Sequence, residues 1–295
     1  MLRTMLIGDN AFIGVSHLSQ ARARDRIERL NVDDMVKVIQ KALSCGATGY
    51  TFSTHPTNYE ILKTMKRDPP AARFEICPVM PYAEGYVRIA NEKGMLGLIM
   101  DMMSRLSIGG KAKALLQGGL SALSLDPIKM LQAYVDVELA TCLSNKPDNA
   151  EVKSVFLHEV ITDVAVSFRL KELVTAYMGH LRDKFSIKPG FVTRNFAKFH
   201  DFFQEIGIPW NQVAVMTPFN KIGFQMTPAK EACEARLGQM LGAEVIAMSL
   251  LAGGLLQLSE GIEYVKSLPN LTGVTVGAST QEHAESTFSI LGALH

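Results

Sequence analysis

Short apolar, β-prone runs recur along the chain at Met5 to Phe12, Thr48 to Ser53, Phe74 to Val79, Lys153 to Leu157, Gly190 to Thr193, Val213 to Thr217, Val245 to Ser249 and Gly273 to Val276. Between them lie stretches with helical spacing. Asn31 can cap a helix whose first turn carries Asp33 and Asp34, whose apolar face is Val32, Met35, Val36, Ile39, Ala42 and Leu43, and which Gly46 stops. Phe196, Phe199, Phe202, Phe203 and Ile206, ended by Gly207, repeat the pattern, as do Ala284 to Leu291. Strands separated by helices must pair in parallel, and eight such units predict an α/β fold, a closed (β/α)8 TIM barrel. Active groups in that fold sit just after the strands.

About seventy residues separate the third and fourth runs, breaking the rhythm. Asp126-Pro127 followed by Ile128, Leu131, Val135 and Leu139 reads as a helix start and face. Residues 84–150 are therefore expected to form a helical insertion, either a lid over the mouth or an extra packing or oligomer layer. The whole chain, 1–295, is expected to be a single domain.

Composition narrows the partners. With 30 Lys and Arg against 29 Asp and Glu, the net charge of +1 offers no field for nucleic acid or anionic membrane. Cys45, Cys77, Cys142 and Cys233 lack paired spacing, which fits a reducing cytoplasm. No apolar run is long enough to span a bilayer. A small-molecule substrate is expected, and a homo-oligomer is left open.

Three of the seven histidines follow strands: His17 after the first, His55 after the second and His158 after the fourth, with Glu159 beside it. Each alone is more readily explained as a structural, hydrogen-bonded residue. Together they can supply a proton donor or hold a divalent metal, though no HxH or HExxH spacing supports the metal. Further round come Thr193-Arg194-Asn195, then Asn220-Lys221, then Ser249 with Gly253-Gly254, then Gly277-Ala278-Ser279 ahead of the last helix. Amides at a helix start with Ser279 and Arg194 can hold a phosphate; the blander reading is that the glycines make turns and Ser279 caps the helix.

Five of these segments resemble the aldo-keto reductases. VIAMSLLAGGLL, Val245 to Leu256, is similar to that family's seventh strand and the loop that wraps a nicotinamide dinucleotide, implying Ser249, Leu250 and Gly253 as contacts. GVTVGASTQEHAESTF resembles its eighth strand and final helix, particularly in the potassium-channel β-subunit branch, implying Gly277, Ala278 and Ser279, with His283 in place of the arginine that binds a 2′-phosphate. FVTRNFAKF puts Arg194 and Asn195 at the serine-asparagine pair that holds the carboxamide, MTPFN supplies Asn220, and FLHE supplies the active-site histidine as His158. The implied activity is an oxidoreductase binding NADP(H) or NAD(H) and acting on a small carbonyl or alcohol.

The N-terminal half departs from the family. FSTHPTNYE puts Ser53 where the aspartate belongs and Asn58 where the proton-donating tyrosine belongs, with Tyr59 one residue late, and EICPVMP lacks the lysine that lowers the tyrosine pKa. A phenol near its ordinary pKa of about 10 is a poor acid at neutral pH. Tyr59 or His55 is then the expected proton donor. The alternative is a lyase, isomerase or metal-dependent hydrolase using His17, His55 and His158, and a third reading is a non-catalytic, cofactor-sensing barrel.

Overall fold

The computed structural model describes residues 2–14, 31–81 and 126–293. The strands are β1 (Thr4–Gly8), β2 (Gly49–Ser53), β3 (Phe74–Met80), β4 (Ala150–Val152), β5 (Ser154–Leu157), β6 (Lys188–Val192), β7 (Ala214–Pro218), β8 (Glu244–Met248) and β9 (Gly273–Gly277). Every pairing is parallel, and β1 pairs with both β2 and β9, which closes the sheet. Strands β4 and β5 flank Lys153 and both pair with β3, so together they form one stave of an eight-stave α/β barrel. The predicted fold class is correct.

Strand boundaries have local causes. β1 stops at Gly8, earlier than Phe12, because Phe12 N and Ile13 N turn back to donate to the Asp9 carbonyl at 2.7 and 3.2 Å. The fourth stave begins at Ala150 rather than Lys153.

Alternate residues face opposite ways, as pleating requires. Leu6, Cys77, Phe156, Val192, Ala214, Met216 and Ile246 pack together inside the barrel, while their neighbours Met5, Ile7, Tyr50, Val155, Phe191, Val215 and Val245 join the larger core under the helices. Burial on both faces explains why the strands read as continuous apolar runs. Gly190 is required by packing: a Cβ there would lie 2.6 Å from the Phe156 ring, which fills the interior.

The N-terminal pole is closed by ions. Lys153 Nζ donates to Thr4 Oγ1 at 3.1 Å and lies 2.8 Å from Glu75 Oε1 and 3.5 Å from Glu244 Oε1, while Lys188 Nζ lies 3.1 Å from Glu244 Oε2. Burial pushes the Glu75 carboxyl up, and its neighbouring carboxylates push Lys153 up. A hollow of about 820 Å³ opens beside this pole, lined by Arg3, Arg73, Glu75 and Asn149. Its arginines are exposed surface groups, and it is remote from the strand ends that carry His158 and Ser279.

Around the barrel run α1 (Val32–Ser44), α2 (Pro56–Arg67), α3 (Pro127–Asn145), α4 (Glu159–Ser167), α5 (Lys171–Phe185), α6 (Phe196–Glu205), α7 (Lys230–Leu237), α8 (Leu258–Ser267) and α9 (Gln281–Gly292). Asn31 Oδ1 caps α1 by accepting from Asp34 N at 2.9 Å. Asp126 Oδ1 caps α3 by accepting from Ile128 N at 2.9 Å, with Pro127 preset as the first helical residue.

Helix α3 packs between α2 and α5 and against β3, the ring place of a third barrel helix. The segment expected as an insertion, 84–150, thus takes in one ordinary ring helix and reaches the first residue of the fourth stave. Residues 82–125 lie outside the described residues. Among the described residues no helix is long and apolar enough to cross a membrane.

Candidate active site at the C-terminal rim

His158 follows β5 directly and caps α4, its Nδ1 accepting from Val160 N at 3.3 Å. A neutral imidazole that accepts at Nδ1 carries its proton on Nε2. His55 repeats the arrangement after β2, capping α2 through Nδ1 with Thr57 N at 3.2 Å. Both rings are half-buried and oriented by the backbone they cap. His17 lies outside the described residues, and among the described residues no three His, Cys, Asp or Glu side chains are grouped to hold a metal.

Glu159 is placed as a partner rather than a base: its Oε1 lies 2.5 Å from Arg194 Nη2, tying the ends of β5 and β6 together. Asp163 completes the link. It accepts from Thr193 Oγ1 and from Arg194 N at 3.2 Å, and burial raises its pKa despite those bonds.

The rim between β1 and β2 holds a carboxyl that the sequence reading did not single out. Asp9, 7% exposed, accepts at Oδ2 from Ser53 N and from Asn58 Nδ2, both at 2.8 Å. Burial drives its pKa up to about 6, only partly offset by these donors and the Ser53 hydroxyl. Asn58 also donates to Ser53 O at 2.8 Å and accepts from Tyr50 Oη at 2.7 Å. Asp9 was hidden because the first apolar run reads on to Phe12, whereas the strand itself stops at Gly8 and leaves Asp9 at the rim.

Tyr59 does not face the rim. Its hydroxyl donates to the Glu138 carboxylate in the seam between α2 and α3, where Thr54 also bonds Glu138. This corrects its assignment as the proton donor: helix phase gives the inward direction to Asn58 and turns Tyr59 outward. Glu138 is fully buried, and its pKa is pushed up to about 7 by burial.

On the other side of the rim, Asn195 precedes α6 but makes no capping bond through its side chain. Its Oδ1 is buried without a hydrogen-bond partner among the described residues, while its backbone N donates to Thr193 Oγ1 at 3.0 Å. A buried acceptor left alone costs about 1–3 kcal/mol. A carboxamide NH2 is a group that would satisfy it.

The loop after β8 is wound through left-handed conformations, with φ of 54° at Ser249, 48° at Ala252, 74° at Gly253 and 103° at Gly254. For the non-glycine residues this costs on the order of 1 kcal/mol each. Leu250 is buried beneath the loop, and Gly253 and Gly254 are exposed on it. At the start of α9 the cap is Thr280, whose Oγ1 accepts from His283 N at 3.1 Å. Ser279 is therefore not the cap, and its hydroxyl makes no hydrogen bond among the described residues. Gly277 is exposed, Ala278 buried and His283 exposed.

One expectation for this side is corrected. Asn220 is fully buried and spent on its own loop, accepting from Phe224 N at 2.7 Å and donating to Phe224 O at 2.8 Å, so it is removed from the cofactor set. Lys221 beside it is exposed and paired with Glu260 at 3.1 Å.

Solved structures with this architecture include two from Pseudomonas aeruginosa, each provisionally assigned as an aldo-keto reductase. One is 12% identical over 99% of this chain and 91% of its own, with a TM-score of 0.62. The other is 13% identical over 99% and 90%, with a TM-score of 0.61. At such identity the likeness is one of fold. No family model and no curated protein matches the chain.

Proposed function

We propose that this barrel is a nicotinamide-dependent oxidoreductase that interconverts a small carbonyl compound and its alcohol. The observation that carries the reading is the Oδ1 of Asn195, buried and without a hydrogen-bond partner among the described residues, at the rim where the resemblance to aldo-keto reductases puts the carboxamide contact. The strained left-handed loop from Ser249 to Gly254 and the uncommitted Ser279 hydroxyl add a cradle and a donor on the same side.

A reduced nicotinamide, when bound, supplies the hydride. Asn195 would accept from its carboxamide, and the Ser279 hydroxyl with the amides opening α9 would hold a phosphate. His158, held by its own capping bond, presents Nε2–H to the substrate carbonyl oxygen and fixes its direction. Glu159 neutralises Arg194, so that the rim beside β6 carries no lone cation.

Titration of the protein with NADPH and with NADH, followed by nicotinamide fluorescence, tests this reading. Saturable binding by the wild type, weakened about tenfold in Asn195→Leu, supports it. No saturation at millimolar concentrations of either cofactor rejects it.

A further inference from the structure

We infer that Asp9 is the group that gives the proton to the substrate oxygen, taking the task that a tyrosine performs in the proteins this chain resembles. The inference rests on the nicotinamide-dependent reading above. It starts from placement: Asp9 follows the last residue of β1, on the same C-terminal rim as His158 and Asn195, and is wedged against the ends of β2 and α2.

Both of its geometrically fixed bonds fall on Oδ2, from Ser53 N and Asn58 Nδ2, each at 2.8 Å. Oδ1 accepts neither of them, which leaves it to carry the proton in this proposal. The group is held still without being neutralised, because neither donor is a cation. Burial holds the proton on the carboxyl up to about pH 6, so it is a far better acid at working pH than a buried phenol.

Among the described residues, the phenols near Asp9 are unsuitable. Tyr50 is fully buried, donates to Asn58, and is pushed well above the ordinary phenol range by burial and by Asp9 itself. Tyr59 is committed to Glu138.

Among the described residues, the titratable groups on the elements around Asp9 are few. β2 contributes Tyr50 and β9 none. The start of α2 contributes His55, and the remaining charges of α2, Glu60, Lys63, Lys66 and Arg67, are exposed, as are Glu282, His283 and Glu285 on α9.

In the reduction the carbonyl carbon gains the hydride and the carbonyl oxygen takes the Asp9 proton. The products are the alcohol, the oxidised nicotinamide and the Asp9 carboxylate, which regains a proton from water before the next turnover. Alcohol oxidation runs the same transfers backward, with the Asp9 carboxylate as base.

The test uses the full chain with NADPH or NADH and 4-nitrobenzaldehyde within a panel of small aldehydes. Wild-type kcat is expected to fall tenfold per pH unit above about pH 6. In Asp9→Asn, kcat drops about 100-fold or more and this limb vanishes, while cofactor affinity stays within threefold of wild type. Ser53→Ala, which keeps the Ser53 N bond but removes the hydroxyl that helps hold the carboxyl down, moves the limb to higher pH; it also decides the matter if Asp9→Asn fails to fold.

A readout independent of turnover is the infrared carboxylic-acid band of the cofactor-free protein. A component lost through the same pH range in wild type and missing from Asp9→Asn is expected. Wild-type kcat in Asp9→Asn, an unchanged limb in both variants, or no such band overturns the proposal. Wild type that binds cofactor yet reduces no aldehyde overturns the Asp9 step alone, and wild type that binds neither cofactor removes the reading beneath it as well.

Discussion

Asn58 donates its side-chain amide to Asp9 at 2.8 Å and accepts the Tyr50 hydroxyl at 2.7 Å, so a fully buried amide bridges the rim of β1 to the outward face of β2. The position that the resemblance gives to a catalytic phenol is here a bracing residue. Asn58→Leu removes that bridge and leaves Asp9 and Tyr50 short of partners, which should cost about 2–4 kcal/mol. Chemical denaturation checks it; a loss below about 1 kcal/mol would mean that the bridge is not needed.

Glu138 makes stability depend on pH in a defined direction. Its carboxyl titrates near 4.3 in an unfolded chain and at about 7 in the folded one, so between those values the folded state binds more protons. Stability therefore falls as pH rises from about 4.3 to about 7, by roughly 3 kcal/mol at most for this group. Asp9, raised to about 6, adds a slope of the same sign between about 4 and 6. Glu138→Gln, which keeps an acceptor for Tyr59, should flatten the curve above pH 6 and raise the melting temperature at pH 8. An unaltered pH profile in that variant would contradict the assignment.

The ionic closure of the opposite pole makes a separate prediction. With Lys153 replaced by Met, Glu75 and Glu244 lose their shared cation while staying partly buried. Breaking such a pair costs several kcal/mol when fully buried and much less when exposed; Lys153 retains 27% exposure, which places the loss at about 1–3 kcal/mol. The loss should shrink at pH 4, where the raised Glu75 carboxyl takes up a proton. Equal destabilisation at pH 4 and pH 8 would argue that packing, not charge, closes the pole.

Much of this architecture is legible in the sequence because it depends on local chemistry. The β-prone runs give the staves, and Asn31 and Asp126-Pro127 give helix starts that the backbone confirms bond by bond. What escapes is set by distant partners. The direction of Tyr59 depends on Glu138, 79 residues away, and the polar closure joins Thr4, Glu75, Lys153, Lys188 and Glu244 across almost the whole chain. Asn220 was misread for the opposite reason: its partner is Phe224 in the same loop, a turn that a motif match does not reveal. His55 and His158 do follow strands, and the structure adds that both use Nδ1 as helix caps.

His158 can be dissected on that basis. His158→Asn keeps a side chain that caps α4, whereas His158→Ala loses the cap, worth about 1 kcal/mol. Both should lower kcat for carbonyl reduction, and only the alanine variant should lower the melting temperature. Full activity in His158→Asn would leave the histidine with a structural role alone.

The reading of the whole rim stands on whether it holds a nicotinamide. Helix α9 carries Glu282 and Glu285 and no lysine or arginine, so a 2′-phosphate finds no cation there. The most direct measurement is a fluorescence titration of wild type and Asn195→Leu with NADH and NADPH side by side. Saturable binding in which NADPH is no tighter than NADH, weakened about tenfold for both in Asn195→Leu, is the predicted result. Absence of binding to wild type, or identical binding by the variant, would contradict it.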